Sequence, residues 1–243
     1  FEGLRSADGF ALLDLDEAQR VRNLGWRGPI LLLEGVFEAR DLELCSRLDL
    51  WHTVHCDEQI DMLAACKTHV GHRVFLKMNS GMNRLGFQPG CYRSAWARLN
   101  ALPQVDEISL MTHFSDADGG RGIAAQMACF AEVTRDLPGE RSLSNSAASL
   151  RHADAVAVSD WIRPGISLYG SSPDHPEHLA GDWGLLPAMT LAAKIIGVQN
   201  IPQVPAWVMA PALWHRYRCG LGSWPADMPT VTRVSAPQAP RCW

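Results

Sequence analysis

The chain has no Cys-x-x-Cys pair, no His-Glu-x-x-His and no Gly-x-Gly-x-x-Gly behind its first strand-like run. Each absence closes off a class of protein. Its seven cysteines, at 45, 56, 66, 91, 129, 219 and 242, are odd in number and lack paired spacing. They argue against a zinc site or a disulfide framework and fit a reducing cytoplasm. His52 and His55 stand three residues apart on a strand-like stretch, so period-two geometry sends them to opposite faces and denies them a shared metal ion. No metal is expected. Without the glycine fingerprint, a dinucleotide-binding sheet has nothing to support it. No apolar run reaches the ~18 residues a membrane span needs, and no signal peptide opens the chain. A net charge of −4 gives no pull toward nucleic acid or an anionic membrane, and neither is expected as a partner.

What is present is a strong alternation. The 243 residues are 47% hydrophobic and 20% charged, as in a soluble globular protein with room for one large barrel or two ordinary domains. Strand-like runs at Gly9 to Leu13, Pro29 to Leu33, Trp51 to His55, Val74 to Met78, Val105 to Met111 and Arg141 to Ser144 alternate with helical stretches. One helix starts near Asp57 as N-cap, and another runs from Ile123 to Leu137, where Pro138-Gly139 stops it. Trp161 to Tyr169 reads as the last unit. Repeated β/α units with right-handed crossovers give either a doubly wound sheet or a (β/α)8 barrel. Met189 to Gln199 reads as a longer strand entering a second, β-rich domain. From Ile201 the pattern collapses: the last 43 residues hold seven of fifteen prolines, four of nine tryptophans and a single acid, Asp227. An ordinary linker would be polar and poor in tryptophan.

Several residues at strand ends have chemical potential, because that is where a barrel places its site. Lys77 stands inside an apolar strand, where a cation needs a partner or a lowered pKa; the bland alternative is a lysine reaching to the barrel end. Arg84 follows the turn Asn79-Ser80-Gly81. His113 ends another strand; a structural, hydrogen-bonded histidine is the commoner use, but an imidazole there can also stack on a flat heterocycle. Ser146, in Ser144-Asn145-Ser146-Ala147-Ala148, reads as a helix N-cap able to face an anion. In Arg163-Pro164-Gly165-Ile166, the Gly165 and Ile166 amides are a candidate phosphate nest.

These pieces together resemble the alanine racemases. Lys77 to Phe87, Lys-Met-Asn-Ser-Gly-Met-Asn-Arg-Leu-Gly-Phe, is similar to that family's Lys-x-Asp/Asn-Thr/Ser-Gly-Met-x-Arg-Leu-Gly-Phe. Met111 to Asp118, Ser142 to Ala148, Asp160 to Gly170, Leu185 to Leu191 and Gly28 to Gly35 match likewise, and the similarity runs from about residue 8 to residue 200. The resemblance implies an α/β fold: a TIM-type (β/α)8 barrel over residues 1–184, here lacking its first strand, then the start of a C-terminal β-domain over 185–200. It implies pyridoxal 5'-phosphate as cofactor, alanine as substrate, a cytoplasmic homodimer, and a role either in supplying D-alanine for the cell wall or in catabolising it. On the family pattern Arg163 donates to the pyridine nitrogen, His113 stacks on the ring, and Arg84 contacts the phenolate and the substrate. Asn145 and Ser146, with the Gly165 and Ile166 amides, belong to the cofactor-binding set, Ser146 and the two amides at the phosphate. Lys77 matches a lysine that the family often carries as a carbamate.

The departures set an expectation of their own. Racemisation needs two bases on opposite faces of the α-carbon. The family's Schiff-base lysine, in Ala-Val-x-Lys-Ala-Asn-Ala-Tyr-Gly-His-Gly, and its tyrosine, in Gly-Tyr-Ala-Asp-Gly-Tyr, are both absent, so the chain is expected to be inactive. Residues 201–243 are expected to be a disordered, frameshifted tail. Back-translated as CCT GCG GAT ATG CCG ACG GTT ACC CGC, Pro225 to Arg233 reads Cys-Gly-Tyr-Ala-Asp-Gly-Tyr-Pro when displaced by one base. In the same frame Ala206 to Ala210 reads Leu-Gly-Tyr-Gly. The alternatives are a non-catalytic pyridoxal-phosphate-binding barrel and, disfavoured by the Asn79 to Phe87 wording, a decarboxylase acting on a basic amino acid.

Overall fold

The computed structural model describes residues 1–67, 70–190 and 192–194, together with the backbone of 198–200 and 220–222. It divides into two compact units, 1–187 and 188–243. The first carries seven strands: β1 (Phe10–Leu12), β2 (Ile30–Leu32), β3 (Trp51–Val54), β4 (His72–Lys77), β5 (Val105–Met111), β6 (Arg141–Asn145) and β7 (Trp161–Arg163). All pair in parallel, in chain order. Between them run α1 (Leu15–Asn23), α2 (Asp41–Leu48), α3 (Asp57–Ala65), α4 (Pro89–Asn100), α5 (Ala124–Thr134) and α6 (Ser146–Arg151). The result is a nearly closed β/α barrel rather than a doubly wound sheet. Its edges, β1 and β7, come together at their starts, where a Cβ built on Gly9 would lie 3.5 Å from the Trp161 ring.

Period two decides what fills the barrel and what covers it. Ile30, Leu32, Val54, Val74, Leu76, Leu110 and Leu143 face outward into one core with Ala18, Leu42, Ile60, Leu63, Tyr92 and Phe130 of the helices. The alternate positions Leu31, Phe75 and Met111 form a second cluster with Leu33, Trp51 and Trp161. At its floor Trp51 stacks on Phe75, with centroids 5.8 Å apart, and meets Trp161 edge-on at 5.4 Å. Lys77 shares the parity of Phe75 and Arg163 that of Trp161. The same alternation that packs apolar rings at the strand starts therefore delivers cations at the strand ends.

Local chemistry sets the element ends. Asp14 caps α1 by accepting from the Glu17 amide at 2.7 Å. α3 begins at Asp57 as expected, but Cys56 is the N-cap and no side chain caps it. The Asp57 and Asp61 carboxylates instead take the two ends of the Arg98 guanidinium on α4. α5 ends at Thr134, short of Leu137, with the Thr134 hydroxyl turned back onto the Phe130 carbonyl at 2.7 Å. In the second unit, among the described residues, the expected strand from Met189 to Gln199 appears as β8 (Val198–Asn200), paired antiparallel with β9 (Gly220–Gly222). The rest of the expected tail, 201–219 and 223–243, lies outside the described residues.

Arg22 shows how a residue that looks like an exposed helical arginine can hold a fold. It is buried, and its guanidinium donates to four carbonyls: Leu48 (2.8 Å), Asp49 (2.8 Å), Gly28 (2.7 Å) and Trp26 (3.2 Å). It thereby ties α1 to the end of α2 and to the approach to β2. Arg22→Ala takes this donor from the Leu48, Asp49 and Gly28 carbonyls and is expected to cost about 2–4 kcal/mol, read by urea unfolding. A loss below 0.5 kcal/mol, about that of an ordinary surface substitution, would show that the fork is not structural.

Candidate active site

At the C-terminal ends of β4 to β7 the structure gathers the residues marked by the sequence. Lys77, the last residue of β4, is 7% exposed and has no ion pair among the described residues. Burial, then the Arg84 and Arg163 cations, bring its pKa down to about 8, with Glu34 opposing them. Arg84 lies in the loop after β4. Its side chain is exposed and makes no hydrogen bond to a described residue. His113 follows β5; burial, then Arg163, Arg84 and Lys77, push its pKa down to about 4, so the imidazole is neutral at pH 7.

Arg163 closes β7 and reaches across two strands. One Nη donates to the Ser142 hydroxyl and the other to the Thr112 carbonyl at 2.6 Å. Among the described residues no carboxylate pairs with it, and burial lowers its pKa to about 10. Thr112 and Ser142, both fully buried, are the functional neighbours that the sequence reading missed. The Thr112 hydroxyl donates to the Met78 carbonyl (3.0 Å) and so must accept from Ser80 (2.7 Å), which joins the β4 loop to the same strut.

The expected cap at Ser146 is corrected. Asn145, with extended backbone, is the N-cap of α6 and accepts from the Ala148 amide at 2.9 Å. That fixes its amide nitrogen as a donor, toward the Phe114 carbonyl at 3.3 Å and near His113 Nε2 at 3.4 Å. Ser146 is instead the first residue of the helix. Its hydroxyl oxygen accepts from the Gly165 amide (2.9 Å), the Ser167 hydroxyl (3.1 Å) and the Ser167 amide (3.4 Å). Gly165 faces open space, with no atom within 4 Å of where a Cβ would stand. Ile166, half exposed, opens the single 3-10 turn Ile166–Tyr169 beside it. His52 and His55, expected on opposite faces, have separate partners: His52 meets His72 at 3.3 Å, and His55 meets the Glu34 carbonyl at 3.1 Å.

A buried carboxylate outside the expected set ties the loops of this face together. Asp174 accepts from Ser172 (2.8 Å), Trp183 (3.0 Å) and His178 (2.6 Å), with Arg151 of α6 at 3.5 Å. Arg151 also donates to the Asp118 carbonyl, and His152 reaches Ala117 at 2.9 Å, which binds α6 to the segment that follows His113. Asp174, Glu177 and His178 converge closely enough to suggest a cation site. The Asp174 oxygens, however, are already taken by donors, one of them an arginine.

The arrangement defines a class: a parallel β/α barrel whose mouth presents three cations around a neutral imidazole, beside a small cradle at Gly165 and Ser146. The family profile described as alanine racemase, N-terminal domain, matches residues 2–173. The chain belongs to that family. It is similar to alanine racemases of Albidiferax ferrireducens (77% identical over 207 residues, 83% of this chain and 55% of that protein) and Paracidovorax citrulli (75% over 203 residues, again 83% and 55%). Among solved structures it resembles the biosynthetic alanine racemase of Pseudomonas aeruginosa, with TM-score 0.77, 37% identity, and coverage of 91% of this chain and 62% of that one. The chain thus spans a little over half the length of the curated relatives it matches.

Proposed function

We propose that this chain is the cofactor-binding part of an alanine racemase that interconverts L- and D-alanine with pyridoxal 5'-phosphate. The observation that carries the reading is the set of cations, Lys77, Arg84 and Arg163, around neutral His113, with only Glu34 acting against them at Lys77. Such a mouth favours an anionic ligand, and the open face of Gly165 leaves room for one.

Bound pyridoxal phosphate would withdraw electrons from the substrate α-carbon and so acidify its hydrogen. The chain's own residues would set the terms of that chemistry. Arg163 never releases its proton, so it would donate to the ring nitrogen without protonating it, which keeps the electron sink weak. His113, held neutral, would offer its face to the ring. Ser146 and the Gly165 and Ile166 amides would turn from one another to phosphate oxygens, with Asn145 holding α6 in place. Arg84 would face the phenolate and the substrate carboxylate. Lys77, free amine or carbamate, would set the charge next to Arg84. In the whole enzyme this reading makes alanine the substrate, a cytoplasmic homodimer the working form and D-alanine for the cell wall the product. No helix among the described residues is long and apolar enough to cross a membrane.

Neither family base motif occurs in the 243 residues, so the purified chain with added pyridoxal phosphate is expected to bind the cofactor and yet form no D-alanine. Tryptophan fluorescence quenching reads the binding, and a D-amino-acid oxidase assay reads the turnover. Clear turnover would refute the inactivity, and binding no tighter than that of inorganic phosphate would remove the cofactor reading.

A further inference from the structure

Arg84 has no side-chain partner among the described residues, so its position there is only as good as the loop that carries it. That loop leaves β4 at Lys77 and returns on itself: the Phe87 amide donates to the Lys77 carbonyl and the Asn79 amide to the Phe87 carbonyl, both at 2.9 Å. Between these closures the backbone passes through left-handed conformations at Gly81 (φ 142°), Asn83 (φ 58°) and Gly86 (φ 120°). Gly86 has no room for a side chain, since a Cβ would stand 2.7 Å from the Asn79 nitrogen. Glycine adopts such torsions freely and so leaves the path loose, while Asn83 adopts one as a non-glycine; the segment holds one shape only if something over-determines it.

That something is the Asn79 carboxamide. It is 8% exposed, and its Oδ1 accepts from the Gly81 amide (3.2 Å) and the Asn83 amide (2.9 Å), while its Nδ2 donates to Asn83 Oδ1 (3.0 Å). All three of its bonds are thus made within the loop, and they bracket the left-handed Asn83 immediately before Arg84. Nothing else among the described side chains hydrogen-bonds the backbone between 80 and 86.

We propose that Asn79 is a positioning residue for Arg84, clamping the 79–87 loop in the path that aims the guanidinium toward Lys77 and His113. The claim deepens the proposed cofactor site and rests on that reading for its purpose. The placement of Arg84 itself is measurable with no cofactor present, so the two can fail separately.

Lys77 is the reporter, because Arg84 is one of the cations that hold its pKa down. Its titration is read by competitive acetylation across pH with mass spectrometry, in the unmodified chain, in Asn79→Ala, in Arg84→Gln and in the double variant. Arg84→Gln is expected to raise the Lys77 midpoint by about half a pH unit or more. Asn79→Ala should raise it in the same sense, and should add nothing once Arg84 is gone. A loop that merely melted and wetted Lys77 would shift it equally in both backgrounds, which would overturn the proposal. So would an unmoved Lys77 in a folded Asn79→Ala protein. If Asn79→Ala does not fold, hydrogen exchange decides: in the unmodified chain the Gly81 and Asn83 amides should be protected relative to Met82, and Asn79→Asp, which keeps both acceptor lone pairs, should preserve that protection. Exchange at the unprotected rate in the unmodified chain would end the proposal.

Discussion

Arg163→Met is expected to leave the barrel as stable as before, or to raise its melting temperature by a few degrees, while weakening pyridoxal phosphate binding about 10- to 100-fold. The two effects have one cause. Arg163 is a half-buried cation with no carboxylate opposite it among the described residues, so it pays a desolvation cost in the protein alone and adds a like charge beside Lys77. Methionine fills similar space without charge. The Ser142 hydroxyl keeps the Trp161 carbonyl, 3.4 Å away, to which it already donates. The lost donors matter only to a ligand that needs them at the ring nitrogen. Lys77 should also titrate higher in this variant. A protein destabilised by more than 2 kcal/mol, or one that binds the cofactor unchanged, would show that Arg163 serves the fold rather than the site.

Asp174→Asn is expected to act in the opposite way, costing about 2–4 kcal/mol in urea unfolding and loosening three loops at once. The carboxylate accepts from Ser172, Trp183 and His178 and pairs with Arg151, and asparagine offers one acceptor oxygen where aspartate offers two. Amide exchange should quicken around 117–118, 146–152 and 172–183 together. The hydrogen bonds and His178 hold the Asp174 pKa at about 2, against an ordinary value of 3.8, although burial alone would raise it. A depressed folded pKa means that the carboxylate's contribution is whole above about pH 4 and is lost as pH falls through 2. The unmodified protein should therefore lose more stability across that window than the asparagine variant does. Parallel acid-unfolding curves for the two would contradict this role.

The sequence made the strands legible because each strand core is a short apolar run with turn residues beyond it, and that run marked Lys77 as a cation inside a strand. It could also show that His113, Asn145, Ser146 and Gly165 sit at strand ends. What it could not show is who holds whom. Ser146 looked like the cap because serine is a common cap, yet Asn145, one residue earlier, has the extended backbone that capping needs. Thr112 and Ser142 drew no attention, since a carbonyl or hydroxyl serving an arginine 51 or 21 residues later leaves no local pattern. The Asp174 hub draws on residues 151, 172, 178 and 183, which share no period. Arg22 sits in a polar helix and gives no hint that it is buried. Long-range polar satisfaction is a property of the folded chain, and a linear pattern does not encode it visibly.

The barrel floor has a consequence for observation. Trp51 on β3 and Trp161 on β7 come from opposite sides of the strand circle, yet their rings lie 5.4 Å apart at 89°. Indoles this close share their excited states, and the coupling between crossed transition dipoles gives opposite-signed bands in ultraviolet circular dichroism. The pair can stay in contact only while the sheet stays curled enough to bring β7 across to β3. The molecule therefore has its own optical gauge of whether the circle is closed, readable without a label and independent of any reaction at the other end.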